Sequence, residues 1–198
     1  MTFFALVLKN LFRQRMRTGL TVLGISIGIT TVVALGVVTE SLQASYGEIL
    51  RMGGADFMVA QEGAADLSFS IVSEADAEAL AAYPDVARAE PALFHIVRVG
   101  ANPFFFIIGW RTEGIVQHPP PLLEGRIWEA DAEDAAILGR RAANSLGVGL
   151  GDVVTMDKRR FTVVGVYQTG RLYEDGGAYL PLSTVQEMAG KSGVVTAV

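Results

Sequence analysis

Two histidines are the first residues to consider, because catalytic and metal sites so often use imidazole. His95 falls within a predicted strand, and His118 precedes three consecutive prolines. Neither has a partner at the spacing of a metal-ligand set or a catalytic triad, and the motifs HExxH and GxSxG do not occur. The sequence also contains no cysteine, which excludes disulfides and thiolate metal ligands. We therefore expect structural or surface roles for both histidines.

An acidic run is the next candidate for chemistry. It comprises Glu129, Asp131, Glu133 and Asp134. The run lacks the alternating oxygen ligands and the closing glutamate of a calcium-binding loop. We therefore interpret it as a solvated loop and predict no metal site. The basic run Lys158 to Arg160 is similarly interpreted as the solvated tip of a hairpin.

Two glycine-containing segments resemble phosphate-binding loops. Gly147, Gly149 and Gly151 precede a predicted strand, whereas a dinucleotide loop follows a strand and opens a helix. The segment Gly190-Lys191-Ser192 would need a glycine at position 185, which is Val185. None of these motifs is complete, so the sequence predicts no catalytic residue and no cofactor. We therefore expect the chain to be a non-catalytic protein.

Charge limits the partners of the chain. It has 16 basic and 21 acidic residues, and 12 of the basic residues and all of the acidic ones follow residue 17. Nucleic acid as a partner is disfavoured, because phosphate backbones require clustered Lys and Arg. A length of 198 residues allows one domain of ordinary size after an N-terminal anchor.

The anchor is the uncharged stretch 18–39. Its 22 residues would form a helix about 33 Å long, which is enough to cross a hydrocarbon core of about 30 Å. A secretory signal peptide is the alternative for residues 1–40, but the apolar part of a signal peptide usually has about 7–15 residues. Gly24 and Gly28 form a GxxxG pattern, which predicts close packing of this helix against another helix.

The residues before the span predict its orientation. Lys9, Arg13, Arg15 and Arg17 precede it without any acidic residue, and such basic flanks stay in the cytoplasm. Residues 1–17 are predicted to form an amphipathic helix on the cytoplasmic lipid surface, with an irregular basic flank as the alternative. The N-terminus is thus expected inside the cell, and the acidic remainder outside.

The remaining chain predicts a stalk and a domain. Residues 40–53 are expected to continue as a stalk helix that ends at Gly53-Gly54, and residues 54–198 to form an α+β extracytoplasmic core domain. Strands are predicted at 55–61, 86–99, 104–109, 135–138, 153–156 and 161–167, and helices at 73–82, 140–146 and 181–189. Gln186 is expected to complete a capping box in the last helix.

Four segments together resemble MacB/FtsX-type ABC transporter permeases. The segments are NLFRQRMRTGLTVLGISIGI from Asn10, GGADFMVAQ, EGRIWEADAEDAAILGRRAANSLGVGLGD, and FTVVGVYQTG followed by AYLPLSTVQEMAG. They cover nearly the whole chain in the family's order. No motif aligns between Leu93 and Leu123.

The resemblance implies a permease subunit with a MacB-like periplasmic core domain in the cell (inner) membrane. Such permeases work as dimers with a cytoplasmic ABC ATP-binding subunit, and they transmit ATP-driven motion to the outside domain. Family members export peptides or macrolides, extract lipoproteins or regulate cell-wall hydrolases. Since they carry three further spans, the resemblance implies that the chain is the N-terminal part of a permease, truncated at Val198.

Two other classes remain open. The chain could be a single-pass membrane-anchored binding or scaffold protein with the same domain, or a processed secreted enzyme. Three further apolar runs of about 20 residues encoded after Val198 would decide for the permease. The long span and the missing catalytic groups disfavour the enzyme.

Overall fold

The computed structural model describes residues 13–49, 54–64 and 66–198. The chain divides into two units, residues 1–46 and 47–198. The predicted amphipathic helix lies mostly outside the described residues, as does the predicted end of the stalk at positions 50–53.

The described part of the first unit is a long helix that continues for three residues into the second unit. Helix α1, Arg15–Ile49, runs without interruption through the predicted span and into the predicted stalk. Thr21, Thr31 and Thr39 each donate a hydroxyl hydrogen bond to the carbonyl four residues earlier, at 2.8–3.0 Å. These bonds satisfy the hydroxyls within the helix itself, as a lipid-exposed segment requires.

The second unit is mixed α/β, as predicted. Its helices are α2 (Glu74–Ala81), α3 (Thr112–Gln117), α4 (Arg140–Leu146), α5 (Leu172–Asp175) and α6 (Leu182–Ala189). Its strands are β1 (Val72–Ser73), β2 (Ala92–Val99), β3 (Asn102–Trp110), β4 (Leu122–Gly125), β5 (Ala135–Gly139), β6 (Val153–Met156), β7 (Arg159–Tyr167), β8 (Ala178–Pro181) and β9 (Val194–Val195). A 3-10 turn at Leu67–Phe69 precedes β1.

Seven strands form one mixed sheet. Its order is β2-β3-β8-β5-β7-β4, and β6 also pairs with β7. The pairs β3–β8 and β5–β7 are parallel, and the other pairs are antiparallel. Strands β1 and β9 form a separate two-stranded sheet.

The large sheet curls until its two ends meet. Asp157, in the turn after β6, donates its N–H to the Arg98 carbonyl at 2.8 Å. Its carboxylate accepts from the Arg98 N–H at 2.9 Å. Asp157 has a φ of 52°, a conformation that Asp adopts more readily than most residues. This turn therefore joins the far end of the sheet to β2.

Apolar side chains are buried on both faces of the sheet. One cluster centres on Leu93, Ile107, Leu138 and Phe161 and includes side chains from α4 and α6. The other includes residues such as Phe94, Ile108, Trp128, Ile137 and Tyr179. Successive residues on β2, such as Leu93 and Phe94, enter opposite clusters because strand side chains alternate between faces.

Several predicted elements occur as expected. Ser73 accepts the Asp76 N–H at 3.0 Å and caps α2. The hairpin of β2 and β3 is present, and α4 ends at Gly147 with a φ of 66°. A residue with this left-handed backbone is usually glycine, because a side chain would be strained there.

Other predictions are wrong. Residues 55–61 do not form a strand; Val59 instead exchanges two backbone hydrogen bonds with Val198, at 2.9 and 3.0 Å. Gln186 does not complete a capping box, because the N-cap residue of α6 is Pro181, which has no side-chain cap hydrogen bond. The Gln186 amide instead donates to the Glu74 carboxylate at 2.6 Å. Elements β1, α3, β4, α5 and β8 were not predicted, since strands and helices of two to six residues are too short to show a distinctive period.

Candidate functional site

Helix α1 exposes its large apolar side chains from Met16 to Val38. In the described part of the chain, Arg15–Ser41 is the one helical stretch that is long and apolar enough to cross a membrane, with a mean hydropathy of 2.2. Leu23 is 59% exposed and Val32 is 73% exposed. Such a continuous apolar surface requires lipid or another helix around it.

Gly24 and Gly28 lie on this helix with open space beside them. A methyl group built on either would meet nothing within 4 Å among the described residues. Each glycine therefore leaves a shallow depression on the helix surface, the feature that lets a second helix approach closely.

The predicted basic anchor is only partly described. Arg13, Arg15 and Arg17 are exposed at the N-terminal end of the helix, whereas Lys9 lies outside the described residues. Guanidinium groups next to an apolar span are well suited to contact anionic headgroups.

The second unit contains a cavity of about 290 Å³, here called the Trp110 pocket, which adjoins a cavity of about 630 Å³ and shares Gly54, Arg88, Glu90, Trp110 and His118 with it. It lies where the ends of β3 and β8 meet α3, the loop 118–121 and the loop before α5. Its lining residues are Gly54, Arg88, Glu90, Trp110, Gly114, Ile115, His118, Pro119, Pro120, Pro121, Thr169, Arg171, Glu174 and Tyr179.

One wall of the pocket contains a buried glutamate. Glu174 is 1% exposed and accepts hydrogen bonds from the Tyr179 hydroxyl at 2.7 Å and the Arg171 guanidinium at 2.9 Å. Tyr167 donates its hydroxyl to the Glu174 carbonyl at 2.6 Å and stacks on Tyr179 with ring centroids 4.4 Å apart. Burial, followed by nearby negative charge, raises the pKa of Tyr167 well above its usual value. The Glu174 charge is thus compensated within the domain.

A second buried carboxylate shapes the adjoining loop. Asp175 accepts from the backbone N–H groups of Thr169 and Gly170 at 2.7 and 3.1 Å. Gly139 lies directly against the Asp175 backbone, where a methyl group would overlap it. The α5 turn is therefore held tightly to the end of β5, and this places Glu174 in the pocket wall.

The opposite wall contains Glu90 and Arg88. Their closest atoms are 3.9 Å apart, which is beyond hydrogen-bond distance. The Glu90 carboxylate packs on Gly114, and a methyl group there would overlap it. The indole N–H of Trp110 is buried and has no acceptor in the described part of the chain.

The other candidates from the sequence lie elsewhere. His95 is half-buried in β2, and burial, with a smaller contribution from Lys191, lowers its pKa. His118 is exposed at the pocket mouth. The described residues contain no group of three or more His, Asp or Glu that could hold a metal ion.

The acidic and basic runs are connected rather than independently solvated. Arg159 donates to Asp134 at 2.7 Å, to Glu187 at 2.9 Å and to Glu133 at 3.4 Å. The prediction of a solvated basic tip is therefore wrong for Arg159. The interaction ties the loop before β5 and helix α6 to the start of β7.

Sequence reasoning did not identify the Trp110 pocket. Glu90 and Glu174 are 84 positions apart in the sequence and follow no recognised motif. Two signals were available: the His-Pro-Pro-Pro loop, and a charged pair beside an aromatic in Arg171-Leu172-Tyr173-Glu174. Neither identifies a pocket before the strands bring the segments together.

Two solved structures share the fold of the second unit. One is the extracellular domain of the noncanonic ABC-type transporter YknZ from Gram-positive bacteria, with a TM-score of 0.54 and 14% identity, covering 71% of this chain and 79% of that one. The other is the periplasmic region of MacB from Actinobacillus actinomycetemcomitans, with a TM-score of 0.51 and 19% identity, covering 71% and 70%. No protein with a curated description matches the sequence significantly.

The chain thus shares the fold of these two domains. The model of the MacB-like periplasmic core domain matches residues 18–198, and the chain belongs to this family. The family match and the apolar helix together support a membrane-anchored domain that lies outside the cytoplasm.

Proposed function

We propose that the chain is a permease subunit, or the N-terminal part of one, of a MacB/FtsX-type ABC transporter. The observation that carries this proposal is the family match over residues 18–198, which includes the apolar helix as well as the domain. In this function the domain receives ATP-driven motion and acts on a peptide, a lipoprotein or a small hydrophobic substrate outside the cell membrane. ATP hydrolysis resides in a separate cytoplasmic subunit.

The proposed organisation follows the predicted segments. Residues 1–17 lie on the cytoplasmic lipid surface, 18–39 cross the inner membrane, 40–53 form the stalk and 54–198 form the outside domain. The uninterrupted helix Arg15–Ile49 supports a stiff link from span to stalk. Its exposed basic end supports a cytoplasmic N-terminus, since Lys and Arg resist translocation.

We further propose that Gly24 and Gly28 form the contact between α1 and a second transmembrane helix, in a homodimer or a paired permease. The support is the open space beside both glycines and the continuous apolar surface around them. In lipid, close van der Waals packing at small residues is a main source of helix association.

Cysteine labelling in sealed cells tests this organisation. The chain lacks cysteine, so Lys158→Cys in the exposed turn before β7 and Thr2→Cys at the N-terminus each introduce a unique thiol. We expect a membrane-impermeant maleimide to label position 158 in intact cells or spheroplasts, and position 2 only after lysis. The reverse pattern would refute the proposed topology.

The same two variants separate the permease from a single-pass scaffold. With a short reagent that carries a maleimide and an amine-reactive ester, the thiol at position 2 should crosslink to lysines of an ATP-binding subunit identified by mass spectrometry. Crosslinks only to extracytoplasmic proteins from position 158, with none to an ATPase from position 2, would contradict the permease proposal.

A further inference from the structure

We propose that the Trp110 pocket binds a small molecule that carries a protonated amine beside an apolar body. The proposal is independent of the transporter function, because it depends on the pocket and its charges alone.

Glu90 supplies the carboxylate for the amine. Its side chain is 20% exposed, and in the described part of the chain its charged partner is Arg88 at 3.9 Å. At that distance the oxygens of Glu90 keep their capacity to accept hydrogen bonds. The carboxylate lies beside Gly114, in space that a larger side chain at position 114 would take.

Glu174 is not the primary amine site, although it lies in the same pocket. Both of its oxygens already accept short hydrogen bonds from donors of the domain, Tyr179 and Arg171. An incoming ammonium group would have to share oxygens that these contacts occupy. The two acidic walls are therefore not equivalent, and the amine is directed to Glu90.

The remaining walls suit an apolar body. Trp110, Tyr179, Ile115 and Pro119 to Pro121 line the cavity. Aromatic faces favour a nearby cation as well as an apolar ring. The volume of about 290 Å³ is near the lower end for ligand pockets, which fits a ligand with one ring.

The amide of an aromatic amino acid combines these features, because it carries a protonated amine beside one aromatic ring.

Calorimetric titration of the full chain in a non-ionic detergent tests the proposal. The probes are L-phenylalaninamide, its uncharged N-acetyl derivative and the anion 3-phenylpropionate, at about pH 6, where an α-amino group is protonated. We expect phenylalaninamide to bind at least tenfold more tightly than either analogue, because only it can form the charge-assisted hydrogen bond. No measurable binding, or equal binding of the three probes, would overturn the proposal.

Three variants identify the group that holds the amine. Glu90→Gln keeps the size of the side chain that contacts Gly114 and should weaken binding by about tenfold or more. Arg88→Gln should tighten it several-fold, because it removes a cation next to the ligand. Glu113→Gln, at an exposed acid of α3, should leave binding unchanged. Unchanged affinity in Glu90→Gln, with its unfolding midpoint preserved, would refute the assignment to Glu90.

Discussion

Helix α1 and the core domain place the same kinds of side chain in opposite environments. Leu23 in the helix is 59% exposed, whereas Leu180 in β8 is fully buried between neighbouring strands and α6. The helix satisfies its backbone internally but has no apolar partner among the described residues. The domain buries its apolar residues on both faces of one sheet. The helix therefore depends on lipid or other helices, and the domain depends on itself.

The largest expected effect on stability comes from a matched pair of leucine truncations, which tests this comparison. We expect Leu180→Ala to lower the free energy of unfolding of the domain by about 2–5 kcal/mol, because it opens a cavity in a closed core. Leu23→Ala removes the same atoms from an exposed position. It should change the free energy of unfolding of the domain by less than about 0.5 kcal/mol. Denaturant unfolding in detergent, followed by Trp110 and Trp128 fluorescence, measures both. Equal losses would mean that α1 is part of the domain's stability.

A pair of glycine substitutions gives an intermediate effect. Gly139→Ala should destabilise the domain by about 1–3 kcal/mol, because the added methyl overlaps the Asp175 backbone. In Gly28→Leu the added side chain extends into open space, so the free energy of unfolding of the domain should not change. It should instead reduce energy transfer between differently labelled copies in detergent, if the glycine forms the helix contact. Unchanged association in Gly28→Leu would contradict that contact.

The smallest expected effect concerns pH. Burial, assisted by Lys191 and opposed by Asp157, lowers the pKa of His95. In the folded domain the His95 imidazole therefore resists protonation, whereas in the unfolded chain the same imidazole takes up a proton below about pH 6.5. Stability from this group is present at neutral pH and is lost as the pH falls below the unfolded pKa of histidine.

His95→Gln should accordingly reduce the pH dependence of the unfolding midpoint between about pH 7 and 5. His118→Gln, at an exposed ring, is the control. Glu74 does not obscure this window: hydrogen bonds from Gln186 and Arg111 lower its pKa, so its contribution is lost only below about pH 4.5. An unchanged pH profile in His95→Gln would show that another group titrates.

Some elements could be predicted because their signals are local. Ser73 followed by Asp76, Gly147 after α4, and two apolar runs joined by Gly100 each specify a cap or turn through neighbouring residues. Residues 55–61 misled the prediction, since their apolar pattern suits a strand but the pairing of Val59 with Val198 does not extend into one. The last residues show the opposite case: no strand is predicted after residue 167, yet residues 194–198 pair with β1, Ala92 and Val59.

Sequence alone determined the long apolar helix, its basic flank, the α+β class and the family, because each depends on composition, short-range periodicity or ordered motifs. Only the tertiary structure decided the sheet order, the closure through Asp157 and the partners of Arg159. It also decided the Trp110 pocket, which brings Glu90 from before β2 together with Trp110 at the end of β3 and Glu174 in α5. Pairing between distant strands creates such a site, and no local pattern records which strands become neighbours.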